Sequence, residues 1–254
     1  MGQTRKDRIA AAFGAAAEGY EAHAPVQRYA ARAVADLAGL VRLPGGARIL
    51  EIGCGTGLLT REIGLRWPGA TLVATDLAAP MVAQAARGGM VAGTFMVMDG
   101  ERPVFDEPHF DLILSSLAFQ WFDDLAQAIA RLVALLRPGG RLIFSTMGAG
   151  SFAAWRAAHN ACGVQAGVPD YPTLDELRAM LATYADSFAF DETYPVAWGS
   201  GRALVAHLKG IGAVVPIPGR GPLSPPALRC VMKAFDTQGG SDAYHVLFGR
   251  VTRL

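Results

Sequence analysis

Residues Leu50-Glu51-Ile52-Gly53-Cys54-Gly55-Thr56-Gly57 set three glycines on alternate positions, directly after an apolar run from Arg48 to Ile52 and directly before a helix-forming stretch at 57–67. Glycine lacks a Cβ, so it tolerates a tight turn whose backbone can approach a nucleotide closely. A strand that hands over to a helix in this way needs a second strand beside it, reached by a right-handed crossover. The following sequence supplies the strands: Thr71–Thr75, Thr94–Met98, Phe110–Leu114 and Arg141–Thr146 are short apolar runs. Helix-like stretches lie between them at Ala79–Arg87 and from Asp123 or Asp124, as a cap, to Leu136. Arg137-Pro138-Gly139-Gly140 reads as the stop of that last helix, with glycine where a helix end wants positive φ. Two later runs, Phe188–Trp198 and Tyr244–Thr252, complete seven strands. The expected fold is α/β: a doubly wound, mostly parallel, Rossmann-like sheet in one domain over 1–254.

The ends carry different patterns. Within 4–42, punctuated by Pro25, two helices are expected; Ile9, Phe13, Ala16 and Tyr20 recur at helical spacing. That periodicity argues against the rival reading of Arg5, Lys6, Arg8 and the alanine-rich run behind them as a secretion signal, because only Ile9 and Phe13 in the run are large and apolar. Thr173-Leu174-Asp175-Glu176 has the form of a capping box. Between the last two strands, residues 200–237 hold two helix-like stretches around Pro216, Pro218 and Pro222, the second opened by Ser224-Pro225. The segment is too long for a hairpin turn and reads as a small helical cap.

Composition excludes several classes. With 52% apolar and 18% charged residues and a formal charge of +1, the chain is globular, gives no global signal for nucleic acid, and has no run long enough to span a membrane. Cys54, Cys162 and Cys230 are far apart and lack ligand spacing; they read as free thiols of a cytoplasmic protein, with no metal site.

The glycine spacing is G-x-G-x-G, and Leu58 stands where the dinucleotide fingerprint needs its third glycine. A dinucleotide site also offers amides to a pyrophosphate, whereas here Glu51 precedes the first glycine by two residues and suits a cation. This pattern resembles the first motif of class I methyltransferases, whose cofactor, S-adenosylmethionine, carries a sulfonium and an ammonium. Gly53, Cys54, Gly55 and Gly57 would then form the turn. Asp76, 19 residues beyond Gly57, would accept from the ribose hydroxyls, with Leu77 and Met81 beside it. Met98, Asp99 and Gly100 would meet the adenine, and Ser115-Ser116-Leu117-Ala118 would border the transferred methyl.

Ser115 to Trp121 contains no Asp, Glu or His, so the segment lacks the acidic signatures of amino-group methylators. A carboxylate acceptor, ionised at neutral pH with a reference pKa of ~4, needs positioning rather than a base. Four segments together resemble the malonyl-acyl-carrier-protein O-methyltransferases of biotin synthesis: Phe13 to Gln27, Ser115 to Trp121 with Asp124-Leu125, Phe144 to Ser151, and Leu208 to Ala213, with Tyr244 to Phe248 added. Position 116 is Ser where that family leads one to expect Asn. The resemblance implies that residues 1–42 form a helical lid in which Phe13, Tyr20, His23 and Gln27 face cofactor and substrate, and that the partner is a malonyl-loaded acyl carrier protein. Five basic residues against one acid, Asp236, in 200–237 fit an acidic carrier. Lys209 and Arg202 are candidates for holding the carboxylate, with Tyr20 and Trp121 as neutral donors. Two other readings stay open at this point: a methyltransferase for a free small carboxylic acid, and a non-methylating relative similar to the hydroxylase and assembly factors of respiratory complex I.

Overall fold

A computed structural model of the chain describes residues 4–88, 92–215, 217 and 220–254; the prolines at 216 and 218 lie outside them. Two helices come first, α1 (Arg5–Ala16) and α2 (Pro25–Gly39), joined by a 3-10 turn at Tyr20–His23. Thr4 opens α1 with a reciprocal capping box to Asp7. Then β1 (Arg48–Ile52), α3 (Leu58–Arg66), β2 (Thr71–Asp76), α4 (Ala79–Arg87), β3 (Gly93–Val97), β4 (Phe110–Ser116) and α5 (Leu125–Ala134) alternate. The chain continues through β5 (Leu136–Met147), α6 (Ala153–Ala161), α7 (Leu174–Leu181), β6 (Ala185–Ala197), α8 (Gly201–Gly210), α9 (Pro225–Thr237) and β7 (Ser241–Thr252). Thr173 caps α7 through the expected box with Glu176, and Ser224 caps α9.

The seven strands form one sheet in the order β3-β2-β1-β4-β5-β7-β6, parallel except that β7 runs antiparallel to both neighbours. Period-two alternation sends successive side chains to opposite faces. Ile49, Leu112 and Leu114 join one core with α2, α3 and α6, while Leu50 and Ile113 join another with α5 and α7. Strand order reverses between β1 and β4, and the crevice beyond their carboxyl ends is where open α/β sheets bind ligands.

Two expectations are corrected. Residues Arg137 to Gly140 belong to β5, and α5 ends earlier, at Ala134. Gly139, at φ +79°, serves an irregularity in the ladder opposite Phe110 and Leu112, where its N–H donates to the Arg253 carbonyl at 2.7 Å. Cys162 and Cys230 are not free thiols: they form a disulfide with Cα atoms 6.2 Å apart, and Cys54 alone is free and buried. The cause is tertiary. α6 packs on α9, with Trp155 edge-on to Phe235 at 5.4 Å, and this brings together residues 68 positions apart. Among the described residues no helix is long and apolar enough to cross a membrane, and no cluster of His, Cys, Asp and Glu could hold a metal.

Candidate active site

The turn between β1 and α3 is built on its glycines. Gly53, Gly55 and Gly57 sit at φ of +71°, +53° and +93°, the left-handed region that only glycine enters at little cost. A Cβ on Gly53 would also collide with the Ala118 methyl, so the β4 loop lies directly against the turn. Asp76, at the end of β2, accepts from the Gly55 amide at 2.9 Å and the Ala78 amide at 2.8 Å. Burial pushes its carboxyl above the usual range, against those two bonds.

These groups line a cavity of about 100 Å³. Gly53, Gly55, Asp76, Leu77 and Met81 form one side of it, and Met98, Asp99 and Gly100 another. A Cβ on Gly100 would run into Ile52 and Phe122, which marks a cradle shaped by close backbone approach. Four predicted residues stand behind this wall rather than on it. Cys54 and Gly57 shape the turn without lining the cavity. Ser115 is buried and donates to the Ile52 carbonyl at 2.9 Å, and Ser116, its neighbour on the opposite face of β4, lines the cavity instead. Glu51 is wholly buried. Its Oε2 accepts from the Thr60 hydroxyl at 2.6 Å, while Oε1 has no partner. Burial raises its pKa to about 8. A buried carboxyl with one unpaired oxygen beside a ligand cavity is what a cationic ligand group would complete.

The N-terminal segment closes this cavity. Phe13 of α1 packs edge-on to Trp121 at 5.1 Å, and Tyr20 completes the wall. Lys6 and Ile9 also line it, which the sequence reading missed. Lys6 bonds Asp99 at 3.3 Å, pairs with Glu101 and lies over the Phe122 ring. Arg5 pairs with Asp123 and donates to the Trp121 carbonyl at 3.0 Å. From the 3-10 side, Glu21 accepts from Thr56 at 3.0 Å and from Arg61 at 2.8 Å, tying the segment to the glycine turn. Tyr20, His23 and Gln27, expected to face cofactor and substrate together, do not share one face, because Pro25 starts a new helix after the 3-10 turn. His23 is exposed, its Nδ1 3.2 Å from the Gly19 carbonyl, and lines neither cavity.

A second cavity, of about 360 Å³, opens from the first. Phe13, Tyr20, Leu117 and Trp121 line both. Leu117 is held at φ +48°, its N–H donating to the Ser145 carbonyl and hydroxyl, each at 3.1 Å. Gln27 lines only the second cavity; it is buried and its Oε1 lacks a partner. Tyr244, also on that wall, has its hydroxyl 2.7 Å from His207 Nε2. Lys209 and Arg202, expected at the carboxylate, line neither cavity. Both are exposed on α8, whose inward face carries Leu204 and Leu208. Trp155, Tyr171 and Arg220 line the second cavity and were not anticipated there.

A family described as a methyltransferase domain matches residues 50–144. The chain is 37% identical over 256 residues to malonyl-[acyl-carrier protein] O-methyltransferase of Magnetococcus marinus, covering 98% of this chain and 93% of that protein. The Salmonella typhimurium protein of the same name is 34% identical over the full length of both. The biotin biosynthesis bifunctional protein BioCD of Bordetella avium is 42% identical over 95% of this chain, which spans only 51% of that longer protein. Among solved structures, the YcgJ protein of Bacillus subtilis superposes with a TM-score of 0.61 at 16% identity, over 87% of this chain and 98% of that one. Phosphoethanolamine N-methyltransferase 2 of Haemonchus contortus, solved with S-adenosylhomocysteine, gives 0.53 at 18% identity over 86% of this chain and 52% of that one. At such identities these two structures speak for the fold, and the sequence relatives speak for the family: this chain belongs to the malonyl-[acyl-carrier protein] O-methyltransferases.

Proposed function

We propose that the chain transfers a methyl group from S-adenosylmethionine to the free carboxylate of malonyl-acyl carrier protein, giving the methyl ester used in biotin synthesis. The observation that carries this reading is the chemistry of the junction between the two cavities. Phe13, Tyr20, Leu117 and Trp121 line it, and none of them is a general base at neutral pH. Burial first, then the charges of Asp76 and Glu21, push the Tyr20 phenol further up, so it keeps its proton and is available to donate. An amine or alcohol acceptor would want a base there; a carboxylate brings its own negative charge.

When bound, S-adenosylmethionine supplies the methyl group: the carboxylate oxygen forms the new C–O bond as the C–S bond breaks, and no proton moves. The protein's share is placement and dryness. Asp76 would hold the ribose, Asp99 and Met98 would flank the adenine, and Glu51, buried behind the glycine turn, would complement the cationic amino-acid end. Charge is neutralised as the methyl crosses, so an apolar junction disfavours the separated ions more than the transition state. Tyr20 and the Trp121 indole orient the carboxylate without a formal charge that would hold the ground state too firmly. Residues 1–42 act as a lid that excludes water, and the exposed cations of 200–237, Lys209 and Arg202 among them, face the acidic carrier.

Growth without biotin tests the reading in cells. A strain lacking its own malonyl-carrier methyltransferase should grow on biotin-free medium when given this chain; continued dependence on biotin, with the protein present and folded, would count against it.

A further inference from the structure

The second cavity carries one feature that methyl transfer does not use. Among the described residues Arg220 is the one lysine or arginine that lines it, and no aspartate or glutamate does. No described carboxylate lies within 4.0 Å of the guanidinium. His159, on the same wall, is buried, its Nδ1 lies 2.8 Å from the Trp155 carbonyl, and burial, with Arg220's charge added, pulls its pKa down. The arginine is nonetheless held in place. Its guanidinium donates to the Gln165 carbonyl, and its backbone N–H to that of Ile217 at 3.2 Å. Gly167 clears its space, since a Cβ there would overlap the guanidinium. A fixed cation without a counter-charge, in a cavity whose described lining holds no carboxylate, calls for an anionic ligand group.

Its place decides which anion. Arg220 is partly exposed, and it is bonded to an exposed residue and followed by exposed Gly221 and Pro222. Tyr244, Trp155 and Phe152 form the buried end. Arg220 does not line the first cavity, so it is not at the junction where the methyl is passed. A guanidinium on the accepting carboxylate would also oppose the reaction, by stabilising the charge that must disappear.

The geometry points to Arg220, in the space left by Gly167, as the binding residue for the phosphodiester of the carrier's phosphopantetheine arm. This rests on the proposed function, in which the malonyl thioester reaches the junction on that arm. The phosphate would sit at the rim while the arm's apolar length fills the cavity, so Arg220 fixes how far the malonyl group advances.

The test compares three malonyl thioesters: on the carrier protein, on 4′-phosphopantetheine, and on pantetheine, which differs from the second only by the phosphate. Arg220→Met should lower kcat/KM by about 10- to 100-fold on the two phosphate-bearing substrates, the cost of one charge-assisted contact. On the pantetheine thioester the change should stay under about threefold. Gly167→Ala, which displaces only the end of the arginine side chain, should give a smaller loss of the same pattern. Equal losses on all three would assign Arg220 to the malonyl carboxylate, and no loss on any would remove it from substrate binding; either result overturns the proposal. Calorimetry with free 4′-phosphopantetheine and pantetheine reads the same contact without turnover. The wild type should prefer the phosphorylated arm, and Arg220→Met should not. A wild type inactive on all three substrates yet showing that preference would sink the methylation reading and leave the arginine's role standing; no preference would sink the arginine's role.

Discussion

Glu51→Gln should make the ligand-free protein more stable while weakening its hold on the cofactor. Glu51 is wholly buried and its pKa is raised to about 8 from 4.5. At pH 7 the unfolded chain carries this group ionised, whereas the ligand-free folded protein carries it protonated. The folded state therefore binds the extra proton, and stability falls as pH rises between the two values, reaching its floor above about 8. At pH 7 the accumulated cost is about 3 kcal/mol, at 1.36 kcal/mol per pH unit. Gln is neutral, has nearly the same shape, and keeps an oxygen for the Thr60 hydroxyl, so it escapes this cost. For a chain of this size the gain corresponds to a melting temperature higher by about 6–12 °C. The same substitution removes the charge that complements the cationic end of S-adenosylmethionine, and affinity should drop about tenfold. Thermal denaturation of ligand-free protein from pH 5 to 9 reads the first effect: the wild type loses stability up to pH 8, and the variant loses less. Calorimetry in buffers of different ionisation enthalpy reads the second, since the wild type releases close to one proton on binding at pH 7 and the variant none from this site. A variant less stable than wild type at pH 7, with the same pH slope, would refute the reasoning, because Glu51 would then be ionised and solvated before the cofactor arrives.

Three further outcomes are expected. Asp76→Ala should weaken cofactor binding by ~1.5–3 kcal/mol, as it strips charge-assisted bonds from the ribose and frees the Gly55 and Ala78 amides; unchanged affinity by calorimetry would mean the ribose lies elsewhere. Thiol titration in denaturant should find one reactive thiol, Cys54, without reductant and three with it; three in both conditions would contradict the bond between α6 and α9. Lys209→Met should raise KM for malonyl-carrier protein at low salt and merge with wild type at high salt, because an exposed charge is screened; a loss that persists in salt, and also appears with a short malonyl thioester, would return Lys209 to the pocket.

Local chemistry made the parallel half of the sheet legible. Three alternate glycines and the acids at the ends of β1 and β2 mark positions where backbone geometry leaves few alternatives, and α4 spans Ala79–Arg87 as its pattern predicts. Ser115 was misplaced by one residue, and on a strand one residue is the other face: Ser115 turns to Ile52, Ser116 to the cavity. His23 was misplaced because the chain at Tyr20–His23 forms a 3-10 turn that leaves its ring exposed, and the residue types there do not encode that turn. The disulfide and Arg220 were hidden for a different reason. Cys162 and Cys230 meet only through the packing of α6 on α9, and Arg220 enters the cavity from a segment without regular structure, so no spacing in the sequence encodes either. Lys209 lies within the family-like Leu208 to Ala213 segment, yet α8 turns Leu204 and Leu208 inward and leaves the lysine outside. On the proposed reading no cation is needed at the junction, since an acceptor whose charge is cancelled in the reaction would be served by donors and dryness.

The identity of the accepting group is what distinguishes a malonyl-carrier methyltransferase from any other carboxyl methyltransferase. Intact-mass analysis of malonyl-carrier protein incubated with this enzyme and S-adenosylmethionine should show the addition of one methyl group, removed again by mild base as an ester is, and no addition to carrier protein bearing an acetyl group in place of malonyl. An unchanged mass for the malonyl form, with methyl transfer to free malonate or another small carboxylic acid instead, would contradict it.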